Sequence, residues 1–252
     1  MELWQAAVVL LAGIAAGGIN SIAGSGTLFT FPVLLALGYP PITATISNSI
    51  GLAPGSVSSA IAYRRELVGQ RSRILRLGTM SLFGAITGAL LLIYLPAGVF
   101  ESVVPFMIGA ACLLIVLQPR ITRWARSRKP AREDGGPLLP VGAYLTGTYG
   151  GYFAAAQGII LMSVLGTALD EDLQRLNALK NLLAGIVNAT AAVFYVVLAS
   201  PSWPVVGLIA VGSIVGGYLG ARFGRRLSAA ALRVVLVVVG LSAAIQLLMG
   251  RV

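Results

Sequence analysis

Gly17-Gly18-Ile19-Asn20-Ser21-Ile22-Ala23-Gly24-Ser25-Gly26-Thr27 interrupts an apolar run that extends from Leu3 to Leu37. A run of that length can cross a bilayer, for which about 20 apolar residues suffice. Glycine inside a helix costs about 1 kcal/mol relative to alanine. Glycines clustered with Ser21 and Ser25 therefore disfavour a straight helix. The stretch reads as a helix that breaks inside the membrane and restarts at Thr27. Non-helical backbone at that depth is tolerated only where it is buried in protein or lines a wet cavity. The restarted helix would aim unpaired N–H groups and a positive dipole end at that cavity, the arrangement by which helix starts hold anions. The break is thus read as half of a substrate site.

The composition agrees with a membrane setting. The chain has 252 residues, of which 57% are hydrophobic and 10% charged, with a mean hydropathy of +0.90. Soluble domains carry about 25% charged residues. The net charge of +10 would fit nucleic acid if it were clustered on a polar surface. Here the basic residues fall in short segments between apolar runs, where the positive-inside rule expects them. Nucleic acid is therefore not expected as a partner. Met1-Glu2-Leu3-Trp4 lacks the basic start of a signal peptide. Cys112 is the one cysteine and there is no histidine, so neither a disulfide within the chain nor a metal or other cofactor is expected.

Outward from the break, helical runs are expected over Leu3 to Ala23, Thr27 to Leu37, Ile42 to Tyr63, Ile74 to Leu95 and Val99 to Leu117. A basic connector, Arg120 to Arg132, follows. The remaining runs are Leu138 to Ala156, Ile159 to Ala168, Leu173 to Leu198, Val205 to Arg222 and Ser228 to Met249. The two halves match at an offset of about 132 residues. Gly18 and Gly26 fall on Gly150 and Gly158, and Ala60 and Tyr63 on Ala192 and Tyr195. Ser81-x-x-Gly84-x-x-x-Gly88 falls on Ser213-x-x-Gly216-x-x-x-Gly220. A constant offset from end to end points to duplication, with residues 1–133 as one repeat and 134–252 as the other. Segment 64–76 carries five arginines, whereas its counterpart 196–208 is uncharged. Conversely, 95–99 has no basic residue, but the matching end of the second half has Arg222, Arg225 and Arg226. Equivalent loops would then face opposite sides of the membrane. The expected fold is all-α: a polytopic transmembrane helical bundle of two inverted repeats, each with a broken or re-entrant Gly-rich helical hairpin. It would sit as a multi-pass protein in the plasma or inner cell membrane, with the Arg64 loop and the connector cytoplasmic and the N-terminus outside.

Candidate site residues cluster at and after the two breaks. The first supplies Asn20, Ser21, Ser25, Gly26 and Thr27, and the next helix Ser47 and Asn48. Thr43, Ser47, Pro54 and Ser58 share one helical face. The second break is read as Gly147 to Gly158, with Tyr149, Tyr152, Gln157 and Gly158. The helix after it carries Asn177, Lys180, Asn181, Asn188 and Tyr195 on one face. Lys180 falls at the repeat position of Asn48. An ionisable residue in a spanning helix marks function by default. Yet Lys180 lies near Asp170-Glu171-Asp172, and the other reading has it snorkel to the interface. The Ser-x-x-Gly-x-x-x-Gly segments read as close-packing faces, and Ser56, Ser58 and Ser59 equally well as interhelical glue. Asn188-Ala189-Thr190 matches a glycosylation sequon, accidental inside a helix.

The eight acidic residues all fall in loops or near helix ends. Proton-coupled pumps place carboxylates or histidines in the pathway, and there is no phosphate-binding loop for ATP. Amides, hydroxyls, helix starts and one lysine suit an oxyanion, whose export a negative-inside potential can drive.

The glycine-rich break, Phe31-Pro32-Val33-Leu34-Leu35, Gly38-Tyr39-Pro40-Pro41-Ile42-Thr43-Ala44-Thr45 and Tyr63-Arg64-Arg65 together resemble the TauE/SafE family, and the resemblance extends over essentially the whole chain. It implies a membrane transporter exporting sulfite or a small organosulfur anion. That anion and membrane lipid are the expected partners, with a homodimer as an option. The second break departs from the family's glycine cluster, with Ala154-Ala155-Ala156-Gln157-Gly158. The expected function is outward anion transport by alternating access. A passive anion channel, or a membrane protein with an enzymatic or scaffold role, is the alternative; missing histidines and buried carboxylates argue against an enzyme.

Overall fold

The computed structural model describes residues 1–127, 135–223 and 229–249. Among the described residues the chain forms ten helices and no strand. They are α1 (Leu3–Ile22), α2 (Thr27–Ala36), α3 (Pro41–Ala62), α4 (Arg71–Tyr94), α5 (Ala97–Ser127), α6 (Leu138–Tyr152), α7 (Gln157–Ala168), α8 (Leu173–Leu198), α9 (Trp203–Phe223) and α10 (Ala229–Leu248). Within these, α1, α4, α8, α9 and the Ala97–Ile121 part of α5 are long and apolar enough to cross a membrane. α2 and α7 are apolar but short, at 10 and 12 residues.

Local chemistry sets most boundaries. Pro41 opens α3 at a first-turn position where no N–H is needed. The Asp172 side chain accepts the Gln174 N–H (2.9 Å) and caps α8. Gly38, with φ +83°, turns the chain after α2. Two boundaries differ from expectation. α5 runs through Pro119 to Ser127 instead of ending at Leu117. Proline removes one ladder bond but does not stop a helix whose next residues favour it, and Arg123 Nε donates to the Pro119 carbonyl across one turn (3.2 Å). The rest of the basic connector, and Arg225, Arg226, Ser228 and Arg251, lie outside the described residues. α6 stops at Tyr152, so Gly147, Gly150 and Gly151 are helical and the second break is only 153–156. Packing offsets the glycine cost in α6. A Cβ on Gly147 would lie 2.6 Å from the Ser81 carbonyl oxygen, and one on Gly151 2.4 Å from that of Ala85.

The Ser-x-x-Gly-x-x-x-Gly segments are close-packing faces, as expected. A Cβ on Gly84 or Gly88 would meet the Tyr144 or Thr148 carbonyl of α6, at 2.2 and 2.1 Å. On Gly216 and Gly220 it would meet the Ile14 carbonyl and Gly18 of α1, at 1.9 and 2.7 Å. Only glycine lets these backbones approach so closely.

Helix contacts come in exchanged couples. α1 packs on α9 as α6 packs on α4, α3 on α9 as α8 on α4, and α2 on α10 as α7 on α5, with α3 on α8 at the centre. The α1–α2 segment turns back on itself, since the Tyr39 hydroxyl donates to the Met1 sulfur at 3.9 Å. The α6–α7 segment does likewise: Gly135, just before α6, lies against both Leu139 and Leu169. The turn after α3 is tied to the second half. Arg73 pairs with Glu171, which also takes Arg175 Nε (3.0 Å), and Arg175 Nη1 donates to the Val68 carbonyl (3.3 Å). The turn after α8 reaches the other end of α3, where the Ser202 N–H donates to Ser47 Oγ (2.9 Å).

Candidate functional site

The site is built where α1 stops. The last carbonyls of a helix have no partner within it, and α1 ends inside the protein. Gly24 takes φ +74° there, and its N–H returns to the carbonyls of Asn20 (2.9 Å) and Ile19 (3.2 Å). From α8, Lys180 Nζ donates to the carbonyls of Asn20 (3.3 Å) and Ser21 (3.2 Å), and Asn181 Nδ2 donates to that of Ser21 (3.1 Å). A cation at a helix C-terminus meets the negative end of its dipole. Lys180 is 1% exposed, so it does not snorkel. An ammonium has three donors, of which these carbonyls take two.

The two breaks touch backbone to backbone. The Gly158 N–H donates to the Gly24 carbonyl (2.9 Å). A Cβ on Gly24 would stand 2.3 Å from Gly158 Cα, and one on Gly158 would stand 2.4 Å from Gly24 Cα. Phe31 of α2 packs edge-on against Phe153 of the second break at 5.2 Å, which seals the junction on that side.

The start of α2 is held from α3. Asn48 Nδ2 donates to Thr27 Oγ1 (3.1 Å), and the Thr30 hydroxyl donates to Asn48 Oδ1. Sequence reasoning passed over Thr30. Its place one turn after Thr27 and four residues after Gly26, whose carbonyl it also reaches (3.3 Å), was the available signal. Asn20 Nδ2 and Asn188 Nδ2 both reach Ser56 Oγ, at 3.5 and 3.0 Å. Ser58 Oγ donates to the Ile214 carbonyl of α9 (3.0 Å) and so ties two helices, whereas Ser59 Oγ donates to the Gly55 carbonyl one turn back in α3 (3.0 Å).

The second break is held differently. Ala154 and Ala156 both have left-handed backbone, at φ +64° and +58°. The Tyr149 hydroxyl donates to the Ala155 carbonyl, and the Tyr195 hydroxyl to that of Gly151. The Gln157 side chain folds over Gly150, where a Cβ would lie 2.3 Å from Gln157 Cδ.

Several polar groups at this junction are buried without a partner in the protein. They are Ser21 Oγ, Ser25 Oγ and Gln157 Nε2, with Thr45 Oγ1 on α3. Among the described residues the backbone N–H groups of Ser25, Gly26 and Thr27 also donate to no acceptor. The structure thus gathers Asn20, Ser25, Gly26, Thr27, Asn48, Gln157, Gly158, Lys180 and Asn181 around the first break. Asn177 is half-buried one turn before Lys180. Two expected residues lie elsewhere. Ser47 faces α9 through Ser202, because α3 packs its Ser47–Ser58 face on that helix. The Tyr152 ring, at the last residue of α6, packs on Phe100 of α5 at 5.5 Å.

Five helices fit to cross a bilayer around an enclosed polar junction describe a multi-pass membrane protein. Comparison with known proteins gives its family. The family described as sulfite exporter TauE/SafE matches residues 9–247. The probable membrane transporter protein YfcA of Escherichia coli (strain K12) is 30% identical over 221 residues, 87% of this chain and 79% of that protein. The probable membrane transporter protein ORF9 of a Sinorhizobium species is 29% identical over 243 residues, 96% of this chain and 92% of that protein. A probable membrane transporter of Haemophilus influenzae is 26% identical over 216 residues, 86% and 84% of the two chains. The chain belongs to the TauE/SafE family of membrane transporters.

Proposed function

We propose that this protein carries a small organosulfur or sulfite-like anion outward across the plasma or inner cell membrane by alternating access, driven by the membrane potential. The observation that carries the reading is a buried cation at a junction that also holds unpartnered donors. Lys180 forms no ion pair with a carboxylate among the described residues. The same junction of the two breaks holds the hydroxyls of Ser21 and Ser25, the Gln157 amide and the free N–H groups that start α2. Each buried polar group left unpaired costs about 1–3 kcal/mol. An oxyanion with several acceptor oxygens offsets that cost and balances the ammonium. The family's description as a sulfite exporter favours a sulfur oxyanion within that class. Each 100 mV of potential supplies about 2.3 kcal/mol per charge.

Alternating access is read from two inverted repeats, 1–133 and 134–252. Three features support the inversion: helix pairs that exchange between halves, hairpins that return toward their starting ends, and turns after α3 and α8 that lie at opposite ends of α3. An odd number of crossings in each half would make the halves antiparallel.

The test is flux in proteoliposomes with sulfite and with a short sulfonate, at uniform pH, without sodium, under an imposed potential of either sign. Saturable, potential-driven movement is expected. Lys180→Gln and Asn48→Ala should each lower it at least about tenfold, the weight of about one charge-assisted hydrogen bond, while the protein stays folded. No flux under any gradient, or full flux in both variants, overturns the reading.

A further inference from the structure

Lys180 has a partner set unusual for a buried lysine. The ammonium meets the carbonyl oxygens of Asn20 and Ser21 at 3.3 and 3.2 Å. The Ser21 hydroxyl, on the same residue, is buried and unpartnered. These are uncharged oxygens at the end of a broken helix, where the dipole is negative. Broken helices in transporters use such carbonyls to hold small monovalent cations. Here the cation is part of the chain. The counterpart of Lys180 at the repeat offset, Asn48, is neutral and is turned onto Thr27 and Thr30 of α2. The charge is therefore confined to the end of α1.

We propose that Lys180 is a tethered cation: its ammonium fills the place of a monovalent cation at the carbonyls of Asn20 and Ser21. A cation on a covalent stem is present at every turnover and is never released to either side. No sodium or potassium gradient can do work through it. The inference rests on the anion-transport reading only for this consequence, that the carrier needs no dissolved metal cation for coupling. It also makes a separate statement about the protein alone. Truncating Lys180 removes both the charge and the volume that excludes an ion, so a dissolved cation should enter.

The experiment is thermal unfolding of the purified full-length protein in sodium chloride against choline chloride at equal ionic strength. Four forms are compared: wild type, Lys180→Ala, Lys180→Ser and Lys180→Gln. The Gln variant keeps an N–H donor and most of the side-chain volume but no charge. Wild type and Lys180→Gln should melt alike in the two salts. At least one of the truncated variants should melt about 3 °C or more higher in sodium, with a saturable dependence on its concentration, or should be recovered folded only in sodium. The inference is overturned if sodium neither stabilises nor rescues either truncated variant, or if it stabilises wild type equally. No anion is needed for this measurement. A failure of wild-type flux would count against the transport reading without touching this one.

Discussion

The two breaks sit at matching places in the halves and solve the same geometric problem with different chemistry. At the first, glycine supplies the left-handed turn, at Gly24. The free carbonyls of α1 are satisfied from the other half, by Lys180 and Asn181, while Ser21 and Ser25 remain without partners. At the second, Ala154 and Ala156 hold the left-handed backbone, and tyrosines bind the carbonyls around it, Tyr149 from the same segment. The first break is polar and held from outside; the second is tightly braced, with the Gln157 amide as its unpaired group. In the proposed function the first break binds and the second supports.

The sharpest way to break this contrast is at the contact between the two. Gly24→Ala should cost about 3 kcal/mol or more, combining left-handed strain of about 1–2 kcal/mol with overpacking of about 1–3 kcal/mol against Gly158. Gly158→Ala meets the same crowding from a helical backbone and should cost less. Melting temperature and the yield of folded protein check both. Next in size is Ser25→Ala. Its hydroxyl has no protein partner, so stability should hold or rise, while flux falls about tenfold if the hydroxyl binds substrate. A parallel loss of stability would return Ser25 to a structural role. Tyr195→Phe should do the reverse. It leaves the Gly151 carbonyl unpaired, lowering stability by about 1 kcal/mol, with the KM for the transported anion unchanged. The smallest effect is a gain. Ala156→Gly relieves a left-handed alanine and should stabilise by up to about 1 kcal/mol, measurable as a small rise in melting temperature.

The sequence made the first break legible because its signals are local: glycines, small polar residues and an apolar run on either side. The packing faces were legible through the spacing of Ser81, Gly84 and Gly88. The second break was placed too broadly, because the glycines of α6 serve contacts with α4 and the left-handed residues are alanines, which announce nothing. Ser47 was drawn into the site because a helical face can be read from spacing, but the neighbour it meets is set by tertiary packing; Tyr152 was drawn in with the overlong second break. Lys180 was recognisable as important. Its partners, 160 and 159 residues away, are fixed only when α8 crosses the end of α1.

One contact carries a historical meaning. Ser56 and Asn188 hydrogen-bond across α3 and α8, and they are separated by 132 residues, the offset that relates the halves. Each therefore touches its own counterpart, as a residue on the axis of a symmetric dimer touches its twin. In an ancestor made of two identical chains, that position would have had to be self-complementary, serine on serine or asparagine on asparagine. In the two-repeat reading, joining the copies in one polypeptide would lift that requirement. The same freedom would allow a lysine at position 180 opposite an asparagine at 48, where an identical pair would bring two like charges into one buried core or none at all. Fusion would let a symmetric assembly acquire a single, unshared charge.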